Sequence, residues 1–365
     1  MSDERPPPAP RGGDGAEAVS ADPMEGLSCP VPWSRYERVT LAHGGGGRLT
    51  RQLVDQLFKP AFESPELEAE LDGARLALGG PVAVTTDAFT VRPLVFPGGD
   101  IGSLAVHGSV NDLAMCGARP RALTASFVLE EGLPLATLER LVRSMGEAAR
   151  AAGVRVVAGD TKVVERGKGD GVYIAVTALG ETLAEVGPDR IEVGDRVLLS
   201  GPVGDHGTAV LLAREGLPLP EGLVSDSADV SPAALALLEA GLAVRCLRDP
   251  TRGGLATVAA ELAAKSGHGV RLDAPLPVRP EVADACELVG LDPLYVACEG
   301  RFVAFVAPED AERALAILRA HEVARGATLV GEVVGEHPGV ATLRSELGAE
   351  RVLDLLSGEP LPRIC

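Results

Sequence analysis

The chain has 365 residues, of which 46% are hydrophobic, and a formal net charge of −18. The hydrophobic content excludes wholesale disorder, and the length is typical of two domains. The negative charge argues against nucleic acid or an anionic membrane as the main partner. No uncharged apolar stretch reaches about 18 residues, so we expect no transmembrane helix, and residues 1–10 do not resemble a secretory signal.

The cysteine spacing fits neither a zinc ribbon nor a disulfide scaffold. No two cysteines form a CxxC pair. Reduced thiols in a cytoplasmic protein are therefore expected.

Along the chain, strand and helix patterns alternate, which predicts an α/β fold. Residues 1–38, rich in proline and glycine, are predicted to form a flexible extension. A first domain over 39–185 is predicted to contain strands at 82–86, 154–158 and 172–179. Its clearest helix is predicted over 134–152, where an apolar face repeats at helical spacing: Leu138, Leu141, Val142, Met145 and Ala149.

A domain boundary is predicted near residues 185–194, followed by a C-terminal α/β domain over 190–350 and a tail over 351–365. Pro360 and Pro362 predict an extended tail. Within this half we predict strands at 196–200, 302–306 and 328–334, and helices at 251–265 and 308–321.

A run of four glycines, Gly44, Gly45, Gly46 and Gly47, follows His43. Such a run lets backbone N–H groups approach a phosphate closely, although the Walker A ending is missing. A mobile hinge is the alternative interpretation.

Three aspartates lie beside small or polar residues: Asp87, Asp112 and Asp160. We predict that Asp87 and Asp160 end strands, where ligand sites of α/β folds collect. Together the three carboxylates would bind Mg²⁺. Ordinary turn and cap aspartates are the alternative.

Lys162 and Cys365 are the candidate reactive side chains. Lys162 is one of only four lysines and follows Asp160 closely, so it is a candidate proton-transfer group or a charge partner of the aspartates. The Cys365 thiolate would be a nucleophile on an extended arm. An accidental terminal cysteine is the alternative.

Two further segments are predicted to open helices. In Asp249-Pro-Thr-Arg-Gly-Gly254, Thr251 is predicted to cap the helix that follows, and the helix start would attract anions. Gly204-Asp-His-Gly207 precedes another helix, and we interpret His206 as structural rather than catalytic.

From about residue 40 to Cys365 the chain resembles the HypE family of [NiFe]-hydrogenase maturation carbamoyl dehydratases. That family belongs to the superfamily of aminoimidazole ribonucleotide synthetase and selenophosphate synthetase. The aspartates and the glycine run are shared by the superfamily and indicate ATP use. The ending Pro362-Arg-Ile-Cys365 is specific to the family.

The resemblance implies two α/β domains, with the N-terminal domains of a homodimer pairing their sheets into a barrel-like structure. It implies that a HypF-like carbamoyltransferase loads a carbamoyl group onto Cys365. ATP would then drive dehydration to a thiocyanate, and a HypC–HypD-like iron scaffold would accept the cyanide.

The resemblance also assigns roles to residues. Lys162 and Glu299 become acid–base candidates acting on Cys365, and Mg²⁺ is assigned to Asp87, Asp112 and Asp160. Cys298 stands where the family more often has asparagine. ATP binding is assigned to the four glycines with Asp87, Asn111, Asp112, Asp160 and Thr161.

Two alternatives remain open at the level of the sequence. Another ATP-using enzyme of the superfamily would share the aspartates and glycines, but would leave the terminal cysteine without a role. A non-catalytic protein that binds a maturation complex would not need Asp87, Asp112, Asp160 and Lys162 to be intact.

Overall fold

The computed structural model describes residues 36–69, 73–355 and 364. The chain divides into two units, Met1–Tyr36 and Glu37–Cys365, and the helices and strands of the described residues belong to the second. The predicted extension over 1–38 lies almost entirely outside the described residues. So does the tail beyond residue 355, apart from Ile364. No helix of the described part is long and apolar enough to cross a membrane.

The N-terminal half is built on a four-stranded sheet with the strand order β1-β6-β4-β5. Strands β4 and β5 are parallel, and the other neighbours are antiparallel. A two-stranded ribbon, β2-β3, precedes the first long helix. The strands are β1 (Val82–Phe89), β2 (Val95–Phe96), β3 (Gly99–Asp100), β4 (Ala118–Glu130), β5 (Arg155–Val164) and β6 (Val172–Thr182).

Five helices belong to this half: α1 (Arg48–Leu53), α2 (Lys59–Phe62), α3 (Pro65–Glu68), α4 (Ile101–Met115) and α5 (Leu135–Ala151). A 3₁₀ turn at Leu41–Gly44 precedes α1, and a π-helical segment at Val54–Phe58 joins α1 to α2. Helix α4 packs against β1, β4 and β6 and against α5. The apolar face predicted for α5 is buried, as expected.

The C-terminal half contains a seven-stranded sheet with the order β13-β12-β9-β11-β7-β10-β8. Strand β10 is buried along its whole length, because apolar clusters cover both faces of the sheet. The strands are β7 (Arg196–Leu199), β8 (Val244–Arg248), β9 (Gly269–Asp273), β10 (Val303–Val306), β11 (Thr328–Val334), β12 (Ala341–Arg344) and β13 (Glu350–Leu353).

The described part of the C-terminal half also contains five helices: α6 (Asp205–Glu215), α7 (Ser231–Glu239), α8 (Gly254–Ser266), α9 (Pro280–Val289) and α10 (Ala311–Ala320). Short 3₁₀ turns occur at Pro188–Arg190, Pro293–Tyr295, Pro308–Asp310 and Glu322–Ala324. Helix α4 also contacts α7 and β8, so it packs against both halves of the molecule.

Most predicted elements are confirmed, but several boundaries were wrong. Strand β1 continues past Asp87 to Phe89, and β5 continues past Asp160 to Val164. Both are outer strands of their sheet. An outer strand has a hydrogen-bonded neighbour on only one side. Exposed aspartate and glycine residues can therefore lie within it without ending the strand. Asp87 and Asp160 therefore do not end their strands, contrary to prediction.

Helix α8 begins at Gly254, and its N-cap is Gly253 rather than Thr251. Gly253 and Gly254 adopt φ values of +77° and +63°, in the left-handed region, so the right-handed helix does not extend back to Thr251. A side chain at Gly254 would also meet the Leu294 carbonyl oxygen, 2.5 Å from an ideal Cβ. The Thr251 carbonyl instead accepts a hydrogen bond from the Gly254 N–H at 3.0 Å, which closes a turn.

Candidate active site

A cavity of about 480 Å³ opens between β1, α4 and the segment that follows β8. Four acidic side chains line it: Asp87, Asp112, Asp249 and Glu299. Asp87 and Asp112 come from the N-terminal half, while Asp249 and Glu299 come from the C-terminal half. The cavity is therefore formed by both halves of the chain.

The carboxylates in this cavity repel one another. Burial and the charge of Asp112 raise the pKa of Asp87 to about 6, and Arg252, 3.9 Å from Asp87 Oδ1, opposes part of that rise. Burial and the charge of Asp112 also raise the pKa of Asp249 to about 7. Asp112 accepts a hydrogen bond from the Thr85 hydroxyl at 2.7 Å. A cation would relieve this repulsion.

Asp249 is a site residue that the sequence prediction missed. The motif containing it was interpreted as a helix start that attracts anions. In the structure, its aspartate joins Asp87 and Asp112 in the cavity. The signal available in the sequence was an aspartate directly after a β-rich run, the same signal that selected Asp87.

Asp160 does not join the other two predicted metal ligands within one chain. Asp87 pairs with Val176, which pairs with Ala125, which pairs with Gly159. Asp87 and Asp160 therefore lie on opposite edges of the sheet, three strand spacings or about 14 Å apart. Among the described residues, no group of three or more acidic, histidine or cysteine side chains is arranged to hold a metal ion.

Lys162 lies on the same edge as Asp160. Its Nζ is 2.9 Å from both carboxylate oxygens of Asp160, and this pairing lowers the pKa of Asp160. Both side chains are exposed. In this structure Lys162 is a charge partner of an aspartate, one of the two roles predicted for it.

The glycine run packs beside this second edge. An ideal Cβ on Gly44 would lie 2.4 Å from the backbone nitrogen of Val163 on β5, so glycine is required for the close approach. Gly46 adopts φ +77°, and its N–H donates to the Thr50 hydroxyl at 2.9 Å. The glycine run thus forms one group with Asp160, Thr161 and Lys162. This group is separate from the cavity that the four carboxylates line.

Asn111, which was predicted to bind ATP, makes hydrogen bonds within the protein. It is buried, and its Nδ2 donates to the carbonyls of Ala228 and Glu299, at 2.9 and 3.4 Å. Its Oδ1 accepts from the Val230 N–H at 2.8 Å. The amide is fully used in joining α4 to the C-terminal half.

Replacing Asn111 by alanine should therefore lower the free energy of unfolding by about 2–3 kcal/mol, because buried backbone groups lose their partners. Urea denaturation would measure this loss. The affinity for ATP, measured by calorimetry on the folded variant, should stay within about twofold, since the amide groups are already bonded to backbone atoms of the protein. A tenfold weaker affinity at intact fold would instead support the predicted contact with ATP.

Glu299 is buried at the end of the cavity. Its backbone N–H donates to Asp226 Oδ1 at 3.0 Å. The neighbouring Cys298 is also buried, and its Sγ accepts from the Gly204 N–H at 3.2 Å. Burial raises the pKa of the Cys298 thiol well above its usual value, so this departure from the family pattern supplies a packed, protonated thiol.

The penultimate residue of the tail is also at this end of the molecule. Ile364 is buried, and its carbonyl oxygen lies 2.9 Å from Nε2 of His206. Cys365 itself lies outside the described residues. The predicted structural role of His206 therefore includes a contact with the tail.

Residues 71–182 match the N-terminal domain family of AIR synthase related proteins, and residues 192–344 match the corresponding C-terminal domain family. The two sheets and the cavity between them accordingly define a two-domain AIR synthase related protein.

Relatives that match most of the chain show to which family of AIR synthase related proteins it belongs. Carbamoyl dehydratase HypE of Cupriavidus necator is 50% identical over 333 residues, which are 90% of this chain and 95% of the relative. A crystal structure of HypE in complex with ATP matches with a TM-score of 0.87 and 45% identity, over 89% of this chain and 99% of the other. A HypE–HypF complex matches with a TM-score of 0.74 and 44% identity, over 83% and 99%. The chain belongs to the HypE family of carbamoyl dehydratases, as its motifs predicted.

Proposed function

We propose that this protein uses ATP to dehydrate a carbamoyl group carried on Cys365, forming a thiocyanate. The observation that carries the proposal is the contact between His206 and Ile364, the residue before Cys365. The segment that bonds His206 through Ser225 also bonds the Glu299 backbone through Asp226.

The reaction balances without a redox partner. The carbamoyl oxygen attacks the γ-phosphorus of ATP, an O–P bond forms, and the bond to ADP breaks. The nitrogen loses one proton to give an O-phosphorylated imidate. The C–O bond then breaks with loss of phosphate, and the second N–H proton leaves as the nitrile forms. Phosphate is the leaving group because oxide is a poor one, and the elements of water end in phosphate.

Glu299 is the proposed base for the nitrogen protons, since its carboxylate is buried at the cavity end and is held through its backbone by Asp226. Lys162 is the proposed second acid–base group. Within one chain it belongs to the other edge of the sheet, so its contribution requires a second protomer.

A homodimer supplies that arrangement. Each chain carries Asp87 on one outer strand and Asp160 on the other. Outer strands leave backbone groups unpaired and favour pairing with another chain. If β5 of one protomer lies beside β1 of its partner, then Asp160, Lys162 and the glycine run of one chain meet Asp87, Asp112 and Glu299 of the other. In this arrangement the glycines would cover the phosphates of ATP.

Mg²⁺ fits the proposed site. Asp87 and Asp112 offer hard oxygen donors, and their repulsion, which raises the pKa of Asp87, would be relieved by a cation. These two residues, with Asp160 of the partner subunit, would hold it. When bound, Mg²⁺ supplies positive charge to the phosphate oxygens.

The proposed partners are those that membership of the HypE family implies. A HypF-like carbamoyltransferase would load Cys365, and a HypC–HypD-like iron scaffold would accept the cyanide for a [NiFe]-hydrogenase. The proposed location is the cytoplasm. A HypE–HypF complex exists for a relative that is 44% identical.

The test is intact mass after incubation with the carbamoyltransferase, carbamoyl phosphate and ATP-Mg²⁺. Wild type should gain one carbamoyl group and then lose the mass of one water molecule, because the proposed steps transfer the amide oxygen to phosphate. Cys365→Ala should show neither change, whereas Cys286→Ala, a matched variant of a cysteine that does not line the cavity, should show both. No adduct on wild type with an active transferase would refute the proposal and favour a small-molecule substrate.

A further inference from the structure

Both ring nitrogens of His206 are engaged. The residue is the second of helix α6 and its side chain is completely buried. Nε2 lies 2.9 Å from the carbonyl oxygen of Ile364, and Nδ1 lies 2.7 Å from the Ser225 hydroxyl. The ring of Phe96 stands edge-on to the imidazole, with 5.4 Å between the ring centres.

The partners define the tautomer. A carbonyl oxygen can only accept, so Nε2 must carry a proton and donate it to Ile364. In the neutral ring Nδ1 then accepts from the Ser225 hydroxyl, whose oxygen in turn accepts from the Ser227 N–H at 3.0 Å. Burial lowers the pKa of His206, although Asp226 and the Ile364 carbonyl oppose this, so the neutral ring is favoured.

The same short segment that holds His206 also holds the proposed base. Ser225 bonds the imidazole, and the adjacent Asp226 accepts from the Glu299 backbone N–H. Gly204, just before α6, donates to Cys298 Sγ. The position of the Ile364 carbonyl is thereby fixed relative to Glu299 through only a few rigid, buried contacts.

We propose that His206 is a positioning residue for the reaction: its hydrogen bond to the Ile364 carbonyl anchors the end of the chain beside the segment that bonds Glu299, so that the group on Cys365 can react there. This inference rests on the proposed function for its catalytic consequence. The tail contact itself does not depend on that function. A histidine that served packing alone would have no reason to direct a donor at a residue of the tail.

The first test is a single turnover of protein that has already been carbamoylated. His206→Ala should form thiocyanate about tenfold more slowly, the effect of losing one well-placed hydrogen bond. Loading by the transferase should not become slower, because loss of the Ile364 contact leaves Cys365 at least as accessible as in wild type. His206→Gln, whose amide can donate to the same carbonyl, should recover part of the rate. His268→Ala, a half-buried histidine at the end of α8, is the matched control and should behave as wild type.

The second test reads the tail position without any dehydration. Alkylation of Cys365, followed by mass spectrometry of the C-terminal peptide, should be several-fold faster in His206→Ala than in wild type. Ile364→Asp should give the same increase, because a charged side chain does not enter this buried position. Combining the two substitutions should add little, since both release one contact.

The outcomes separate the two proposals. If wild type never dehydrates its carbamoyl group but the alkylation results hold, the proposed function fails and the tail contact stands. If wild type reacts and His206→Ala matches it in both rate and alkylation, the positioning role is overturned. If His206→Ala does not fold, His206→Gln and Ile364→Asp replace it in both tests. Unchanged alkylation of Cys365 in Ile364→Asp would then also overturn the positioning role.

Discussion

Replacing Glu299 by glutamine is expected to slow thiocyanate formation by about 10²–10⁴-fold, the usual contribution of a general base. The amide has the shape of the carboxylate but cannot accept a proton. The backbone N–H bond to Asp226 is retained, so the local structure should persist. Single-turnover mass spectrometry of carbamoylated protein measures the rate directly.

Carbamoylation of Glu299→Gln should proceed at the wild-type rate, so the carbamoylated form should accumulate. Glu336→Gln, an exposed glutamate beyond β11, is the matched control. A Glu299→Gln rate within about threefold of wild type would show that another group takes the nitrogen protons, because such a small factor is below that of a general base.

Two inactive variants are expected to restore activity when they share one dimer. Asp87→Asn and Asp160→Asn should each lower the dehydration rate of their own homodimers by at least about 100-fold, because each removes a charge from both sites. In a mixed dimer, one site carries both substitutions and the other carries neither. Such a dimer, purified through two different affinity tags, should have about half the activity of wild type.

The expected recovery follows from the sheet. Asp87 and Asp160 lie on opposite outer strands, so only two chains can bring them together. A mixed dimer of Asp87→Asn with Asp112→Asn is the control. Those two residues line one cavity of one chain, so no intact site is formed. An inactive Asp87→Asn/Asp160→Asn dimer would contradict the two-chain site and leave Asp160 with a role in its own chain.

The parts of the fold that sequence predicted best depend on local periodicity. The buried face of α5 follows from apolar residues at helical spacing, and β7, β10 and β11 follow from short, largely apolar runs. Strand ends were predicted poorly at Asp87 and Asp160. Whether an aspartate ends a strand depends on the strand's place at the sheet edge, which local sequence does not encode.

The candidate site shows the same division. The residue types of the site could be predicted from the sequence, since its glycines and carboxylates occur in recognisable motifs. Their grouping was not: Asp87, Asp112, Asp249 and Glu299 come from distant parts of the chain. Asn111 was selected for its motif, but its hydrogen bonds are made with residues more than a hundred positions away.

The family, the two α/β halves and the available reactive groups could all be predicted from the sequence, because motifs and hydrophobic periodicity are properties of local sequence. Long-range packing was needed to show which carboxylates share a cavity, that Asp160 and Lys162 lie on the opposite edge from Asp87, and that His206 contacts Ile364. Strand order and the packing of α4 between two sheets set those distances. Both arise from long-range pairing, in which each residue's neighbour is chosen by the whole fold.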